Sequence, residues 1–372
     1  MTLLLKIPKV RFGFNEITVL PEELSELGVH RPLCMTDPGV VKCGVFSKVR
    51  DAMPAGAEFA VFDETPENPT VEGVERALAV YRKIGCDGLV AVGGGSVIDS
   101  AKAVSLLVGH AGPLAYYHDH PEEITPATAP LVAVPTTAGT GSEVSHGAGI
   151  HPDSRSRSAG VSSPYLAPKV AICDPDVTLS LPADLTASTG MDALSHCVEG
   201  FLAKSVNPAL DAIALDGIRR VFDHLEHAVA DGDDRQARWQ MMMAALEGGM
   251  SIPKGLGPAH ALGGTLGDRG FRHGTLVTMA LPSVLRFMEK HVPDKMVRLA
   301  GAMGINSGRA VPDAIKALNA RLGLPASLRA LGYPDADLDE MANDAANSFF
   351  NAGSPQRPTP AEYREMIQEM KG

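Results

Sequence analysis

Apolar positions along the chain fall into two regimes. From residue 32, short continuous apolar runs alternate with longer mixed segments: 32–35 then 44–52, 59–62 then 71–84, and 89–92 then 96–108. A run that is apolar at every position suits a strand covered by helices on both faces, whereas a half-exposed strand alternates. The rhythm predicts successive β–α units around a largely parallel, Rossmann-like sheet. Further strands are predicted at 131–134 and 170–173, the second stopped by Asp174-Pro175 because proline has no N–H for a ladder. This layer is expected to end near residue 180.

Beyond residue 185 the strand signal fades and helical periodicity takes over. Helices are predicted at 187–201, 207–227, 236–250, 274–289, 293–303, 311–320, 336–350 and 359–370, with Pro282 breaking or kinking the fourth. The expected organisation is an α/β domain over residues 1–182 and an all-α domain over 183–372. Chain length agrees, since 372 residues exceed the roughly 250–300 at which one core stops growing.

Composition narrows the partners. A formal charge of −11, with no Lys/Arg block, gives a field that repels a phosphate backbone, so no nucleic-acid partner is expected. The longest apolar stretches are far below the roughly 20 residues that cross a bilayer, and the N-terminus has no signal-peptide core. Cysteines 34, 43, 86, 173 and 197 form no Cys-x-x-Cys pair and read as reduced thiols. A cytoplasmic protein with no membrane partner is expected.

Two turns carry candidate chemistry in the first half. Gly93-Gly94-Gly95-Ser96-Val97-Ile98-Asp99-Ser100-Ala101-Lys102 converts a strand into a helix through residues without side chains, so backbone N–H groups can approach an anion. Ser96 is placed to cap the helix, whose N-terminus favours a pyrophosphate. The second turn, Pro135-Thr136-Thr137-Ala138-Gly139-Thr140-Gly141-Ser142-Glu143, packs hydroxyls and glycines after the next strand. Each alone is an ordinary turn or surface loop. Two at the ends of consecutive strands favour a dinucleotide along the carboxyl edge of the sheet. Asp37, after the first strand, either caps a turn or faces the ribose 2′-OH, and the latter favours NAD over NADP.

In the second half, Asp192 and His196 are four apart and share a helix face, either as a hydrogen-bonded couple or as two ligands of one divalent cation. His260 and His273 stand in glycine-rich, weakly charged surroundings. One carboxylate and three imidazoles suit Fe(II), Zn(II), Ni(II) or Co(II) better than Mg(II). His224 and His227 on a charged helix, and His118 and His120 in a loop, read as solvated surface.

These features, in this order, resemble the iron-dependent (group III) alcohol dehydrogenase family over nearly the whole chain. The resemblance implies a dehydrogenase with NAD(H) and a metal, Fe(II) or else Zn(II), in a cleft between two domains. It implies Asp192, His196, His260 and His273 as metal ligands and catalytic residues. Gly94, Gly95 and Ser96 would hold the pyrophosphate, Thr137 and Thr140 would line the inner pocket, and Asp37 would face the adenosine ribose. Asp99 and Ser142 belong to the same cofactor set. The expected reaction is hydride transfer between NAD(H) and a small alcohol or aldehyde, in a homodimer or larger homo-oligomer.

Two departures from the family pattern bear on substrate. Many relatives carry a further histidine where this chain has Gly264, and the interval from His260 to His273 is one residue shorter. The shortened loop brings Arg269 and Arg272 near the site, where they either pair with acidic neighbours or clamp an acidic substrate. The alternatives are therefore reduction of an acid-bearing aldehyde or keto acid, as in maleylacetate reductase, a non-redox NAD-using metal enzyme, and nucleotide binding without turnover.

Overall fold

The computed structural model describes residues 7–53, 56–153, 160–267, 271–334 and 337–372. The chain divides into two compact units, one of Met1–Thr137 with Gly141–Leu181 and one of Ala138–Thr140 with Pro182–Gly372.

The first unit opens with β1 (Lys9–Phe12), α1 (Leu20–Glu26), β2 (Pro32–Met35), α2 (Pro38–Lys42), α3 (Val45–Asp51) and β3 (Ala60–Phe62). It continues through α4 (Val71–Ile84), β4 (Gly88–Gly93), α5 (Gly95–Gly109), α6 (Leu114–Asp119) and β5 (Leu131–Pro135). A short antiparallel pair, β6 (Gly147–Ala148) and β7 (Val161–Ser162), precedes β8 (Val170–Cys173). Six strands form one sheet in the order β1-β8-β5-β4-β2-β3. Every pairing in it is parallel.

The unbroken apolar runs have a direct cause. Leu33, Met35, Leu89, Ala91, Leu131 and Ala133 belong to one buried cluster, and the interleaved Cys34, Val90, Val92, Val132 and Val134 to another. Successive side chains of a strand point to opposite faces, so both faces of the sheet are covered and neither has a use for polar residues. The expected strands are all present. The opening strand β1 and helices α1, α2 and α6 were not among the expected elements; β1, of sequence Lys-Val-Arg-Phe, is not the continuous buried apolar run that marks the other strands.

The second unit is helical: α7 (Ala183–Leu202), α8 (Pro208–Ala230), α9 (Arg235–Ser251), α10 (Pro258–Gly267) and α11 (His273–Glu289). It ends with α12 (Pro293–Ala302), α13 (Val311–Arg321), α14 (Leu338–Asn347) and α15 (Pro360–Lys371). The α/β and then all-α order is therefore as expected. Two details differ. Helix α11 runs on through Pro282, so of the expected break or kink the break is absent, and α10 is a helix where a glycine-rich stretch was expected. Among the described residues, no helix is long and apolar enough to cross a membrane.

Candidate functional site

Helix α7 is the spine of the second unit's site. It is buried almost continuously from Thr186 to Leu202 and therefore carries its polar residues into a dry interior. Asp192, His196 and Glu199 follow the i, i+4, i+7 spacing of one helix face. Asp192 is 3% exposed and His196 5%. His260 lies on α10, and His273 is the first residue of α11. The backbone of α11 can approach α7 because residue 274 is glycine: a Cβ there would stand 2.8 Å from the Ser188 carbonyl oxygen and 3.2 Å from Asp192 Cβ.

This packing gathers Asp192, His260 and His273, whose ligand-type atoms all lie within 4.8 Å of one another. His196 stands just outside that group. Its Nδ1 is 3.9 Å from Asp192 Oδ2, and its ring centroid is 4.6 Å from that of His260. The rings of His260 and His273 are 5.5 Å apart. Asp192 and His260 are buried, while His273 is exposed.

The electrostatics of this group fit a cation. Asp192 Oδ1, His196 Nδ1 and His260 Nε2 are buried polar atoms with no hydrogen-bond partner among the described residues, which is costly unless something else satisfies them. Burial pushes the Asp192 carboxyl above its ordinary range, with His273 and His260 opposing. Burial, and then the neighbouring His260, push His196 down to about 3, so its imidazole is neutral and keeps a lone pair. Carboxylate and neutral imidazole are what a borderline divalent ion such as Fe(II) or Zn(II) requires.

In the first unit, α5 starts at Gly95 with Gly94 as its cap residue and no side-chain cap. Ser96 is therefore not the cap. One position inside the helix, its hydroxyl instead donates to the Glu67 carbonyl. A Cβ on Gly94 would meet Thr137 Oγ1 and Cγ2 at 3.3 Å, so the two hydroxyl- and glycine-rich turns lie side by side. Asp37 does cap α2: its Oδ1 accepts from the N–H groups of Gly39 at 2.8 Å and Val40 at 3.0 Å. Both bonds fall on the same oxygen. Thr140 groups with the second unit.

Asp99 accepts hydrogen bonds from Ser142 Oγ and from the Gly149 N–H, the latter at 2.8 Å. One turn on, Lys102 is wholly buried and donates to Ser142 Oγ at 2.8 Å, Ser145 Oγ at 3.1 Å and the Gly147 carbonyl at 2.7 Å. These two residues of α5 thus clamp the segment 142–149 against the helix. Nothing in the local sequence gives Lys102 a role. Its signal was a lysine in a helix whose other residues, Asp99 aside, are small or apolar.

Glu199 was also missed as a functional residue, although its spacing from Asp192 and His196 pointed to it. Of the two arginines, Arg269 lies outside the described residues, and Arg272 donates to Asp184 at 2.8 Å. Gly264 borders Phe350, whose Cε2 is 3.6 Å from where a Cβ would stand, and the Phe350 ring is 5.6 Å from that of His260.

Comparison with known proteins agrees with this geometry. The model of iron-containing alcohol dehydrogenases matches residues 8–175, and that of the family's C-terminal domain matches 186–370. The chain is 44% identical to 4-hydroxybutyrate dehydrogenase of Cupriavidus necator over 99% of its length and 100% of the relative's. A 1,3-propanediol oxidoreductase structure superposes with a TM-score of 0.92 at 34% identity, covering 100% of both chains. Sulfoacetaldehyde reductase from Bifidobacterium kashiwanohense, solved in complex with NAD+, gives 0.91 at 29% identity over 100% of this chain and 99% of the other. With a cation-ready carboxylate–imidazole group in one unit and a parallel sheet with paired glycine-rich turns in the other, the chain belongs to the iron-containing alcohol dehydrogenases, metal-dependent oxidoreductases that couple NAD(H) to small alcohols and aldehydes.

Proposed function

We propose that this protein interconverts a short primary alcohol and its aldehyde, with Asp192, His196, His260 and His273 holding one divalent ion, Fe(II) in the first instance. The observation that carries the reading is the convergence of Asp192, His260 and His273 within 4.8 Å, beside buried polar atoms that have no partner among the described residues. An ion held there would supply polarisation of the substrate oxygen, and bound nicotinamide would supply the hydride acceptor or donor. The chain's own residues bind and orient. Helix α7 holds Asp192 and His196 in a water-poor interior where their interaction with a cation is strong. His273, the exposed member, leaves one side of the group open to substrate.

For the cofactor, residues 1–182 form the binding domain and 183–372 the catalytic domain. Gly94, Gly95 and Ser96 present backbone N–H groups at the start of α5, where the helix dipole favours pyrophosphate. Thr137 and Thr140 supply hydroxyls, while Asp99 and Ser142 act together behind them by fixing the loop. Asp37 takes the adenosine ribose and disfavours a 2′-phosphate. Five unpaired cysteine thiols support a reducing, cytoplasmic setting, and the family likeness supports a homodimer or larger homo-oligomer.

A second reading concerns the substrate's far end. The 44% identity to a 4-hydroxybutyrate dehydrogenase along the full chain favours an alcohol that carries a terminal carboxylate. Gly264 leaves the space beside Phe350 and His260 without a polar side chain, which suits the methylene stem of such a molecule. NADH formation by the iron-loaded protein from 4-hydroxybutyrate, 1,3-propanediol and ethanol, with NAD or NADP, tests both. NAD-dependent turnover of at least one is expected, with kcat/KM highest for 4-hydroxybutyrate on the second reading. A preference for ethanol would contradict the second reading, and turnover of none the first.

A further inference from the structure

Glu199 is a buried carboxylate, 4% exposed, one helical step beyond His196. Four donors converge on it. Its Oε1 accepts from the Ala259 N–H at 2.7 Å, and its Oε2 from the N–H groups of Gly257 at 3.1 Å and His260 at 3.3 Å. The fourth partner is the His260 ring itself, with Nδ1 2.6 Å from Oε2. Resting on the metal reading above, we infer that Glu199 is the positioning residue of the metal group: it fixes His260 in the Nδ1–H tautomer and seats the helix that carries it.

The chemistry follows from donor and acceptor counts. A carboxylate oxygen offers no proton, so Nδ1 must carry the hydrogen, and in the neutral ring Nε2 is then the nitrogen with the lone pair. Nε2 is the very atom of His260 that is buried without a partner among the described residues. The backbone N–H groups that Glu199 accepts lie at the start of α10, where a helix has no donors' partners of its own, and a negative charge there is favoured. One side chain on α7, 61 residues away in sequence, therefore sets both the place of α10 and the protonation pattern of its histidine. Glutamine cannot do the same. It has a single acceptor oxygen, so its NH2 would oppose either the backbone donors or Nδ1, and in the second case it would drive the proton onto Nε2.

The test titrates Co(II) into metal-free wild-type protein and metal-free Glu199→Gln protein, following the visible absorption of the bound ion. NADH affinity and thermal melting are measured alongside. Wild type is expected to take up one equivalent, and Glu199→Gln to bind about 10–100-fold more weakly with unchanged NADH affinity. A variant that melts earlier yet binds Co(II) as tightly as wild type would overturn the inference, because capping α10 would then be its whole role. Failure of wild type to bind Co(II) would instead overturn the metal reading beneath it. Should Glu199→Gln not fold, 15N-histidine NMR of metal-free wild type decides. A proton on Nδ1 of His260, assigned by its loss in His260→Ala, upholds the inference, and a proton on Nε2 overturns it.

Discussion

Lys102 shows how a single buried charge organises a loop. Its ammonium is wholly enclosed and satisfied by two hydroxyls and a carbonyl from residues 142–147, with Asp99 3.5 Å away. Burial pushes its pKa down, and Asp99 and then Glu143 oppose that. Removing one partner of such a buried set leaves the others uncompensated, which costs on the order of 3–5 kcal/mol. Lys102→Met is therefore expected to lower the free energy of urea unfolding by about 3 kcal/mol and to weaken NADH binding. Unfolding within about 0.5 kcal/mol of wild type, the range of an ordinary surface change, would show that the clamp is dispensable. At this scale much of the site was legible. The spacing of Asp192 and His196 announces a shared face, and histidines among glycines stand out. The partner of a side chain does not: nothing in the sequence says that Ser96 reaches the Glu67 carbonyl, or that Glu199 faces the start of a helix far along the chain.

Among the helices, the same dry interior that serves Asp192 has a cost in α9. Glu247 is 8% exposed, with Oε2 3.4 Å from Arg220 Nε. Burial pushes its pKa up to about 8, outweighing the pull of Arg220. The folded protein thus holds this proton more tightly than the unfolded chain. Its contribution to stability is complete below about pH 4.5 and is lost as pH rises through about 8. Glu247→Gln, which keeps the neutral form's shape, is expected to melt within a degree of wild type near pH 4.5 and a few degrees above it at pH 9. A melting difference independent of pH would contradict this. Element boundaries read well wherever one face carried the period, as in α4 and α8. Helix α10 was invisible because its capping carboxylate comes from α7 rather than from the residues before it. Of the break or kink expected at Pro282, the break is absent, because proline removes one N–H and crowds one carbonyl and α11 continues past both.

For the whole molecule, the division into a parallel sheet layer and a helical unit was legible because the two periodicities differ and because both faces of the sheet are covered. Which loops face the ligand was legible only as a rule about the carboxyl ends of parallel strands. Each unit supplies one half of the proposed chemistry: a glycine-rich turn at the start of α5, and a carboxylate–imidazole group where α7, α10 and α11 meet. The central claim concerns that meeting point. Anomalous diffraction at the iron edge, from crystals of anaerobically prepared protein, tests it most directly. The expected result is a single peak per chain about 2.0–2.2 Å from Asp192, His260 and His273, with His196 turned to join them. No peak there, or a metal bound elsewhere while alcohol-dependent NADH formation persists, would contradict it.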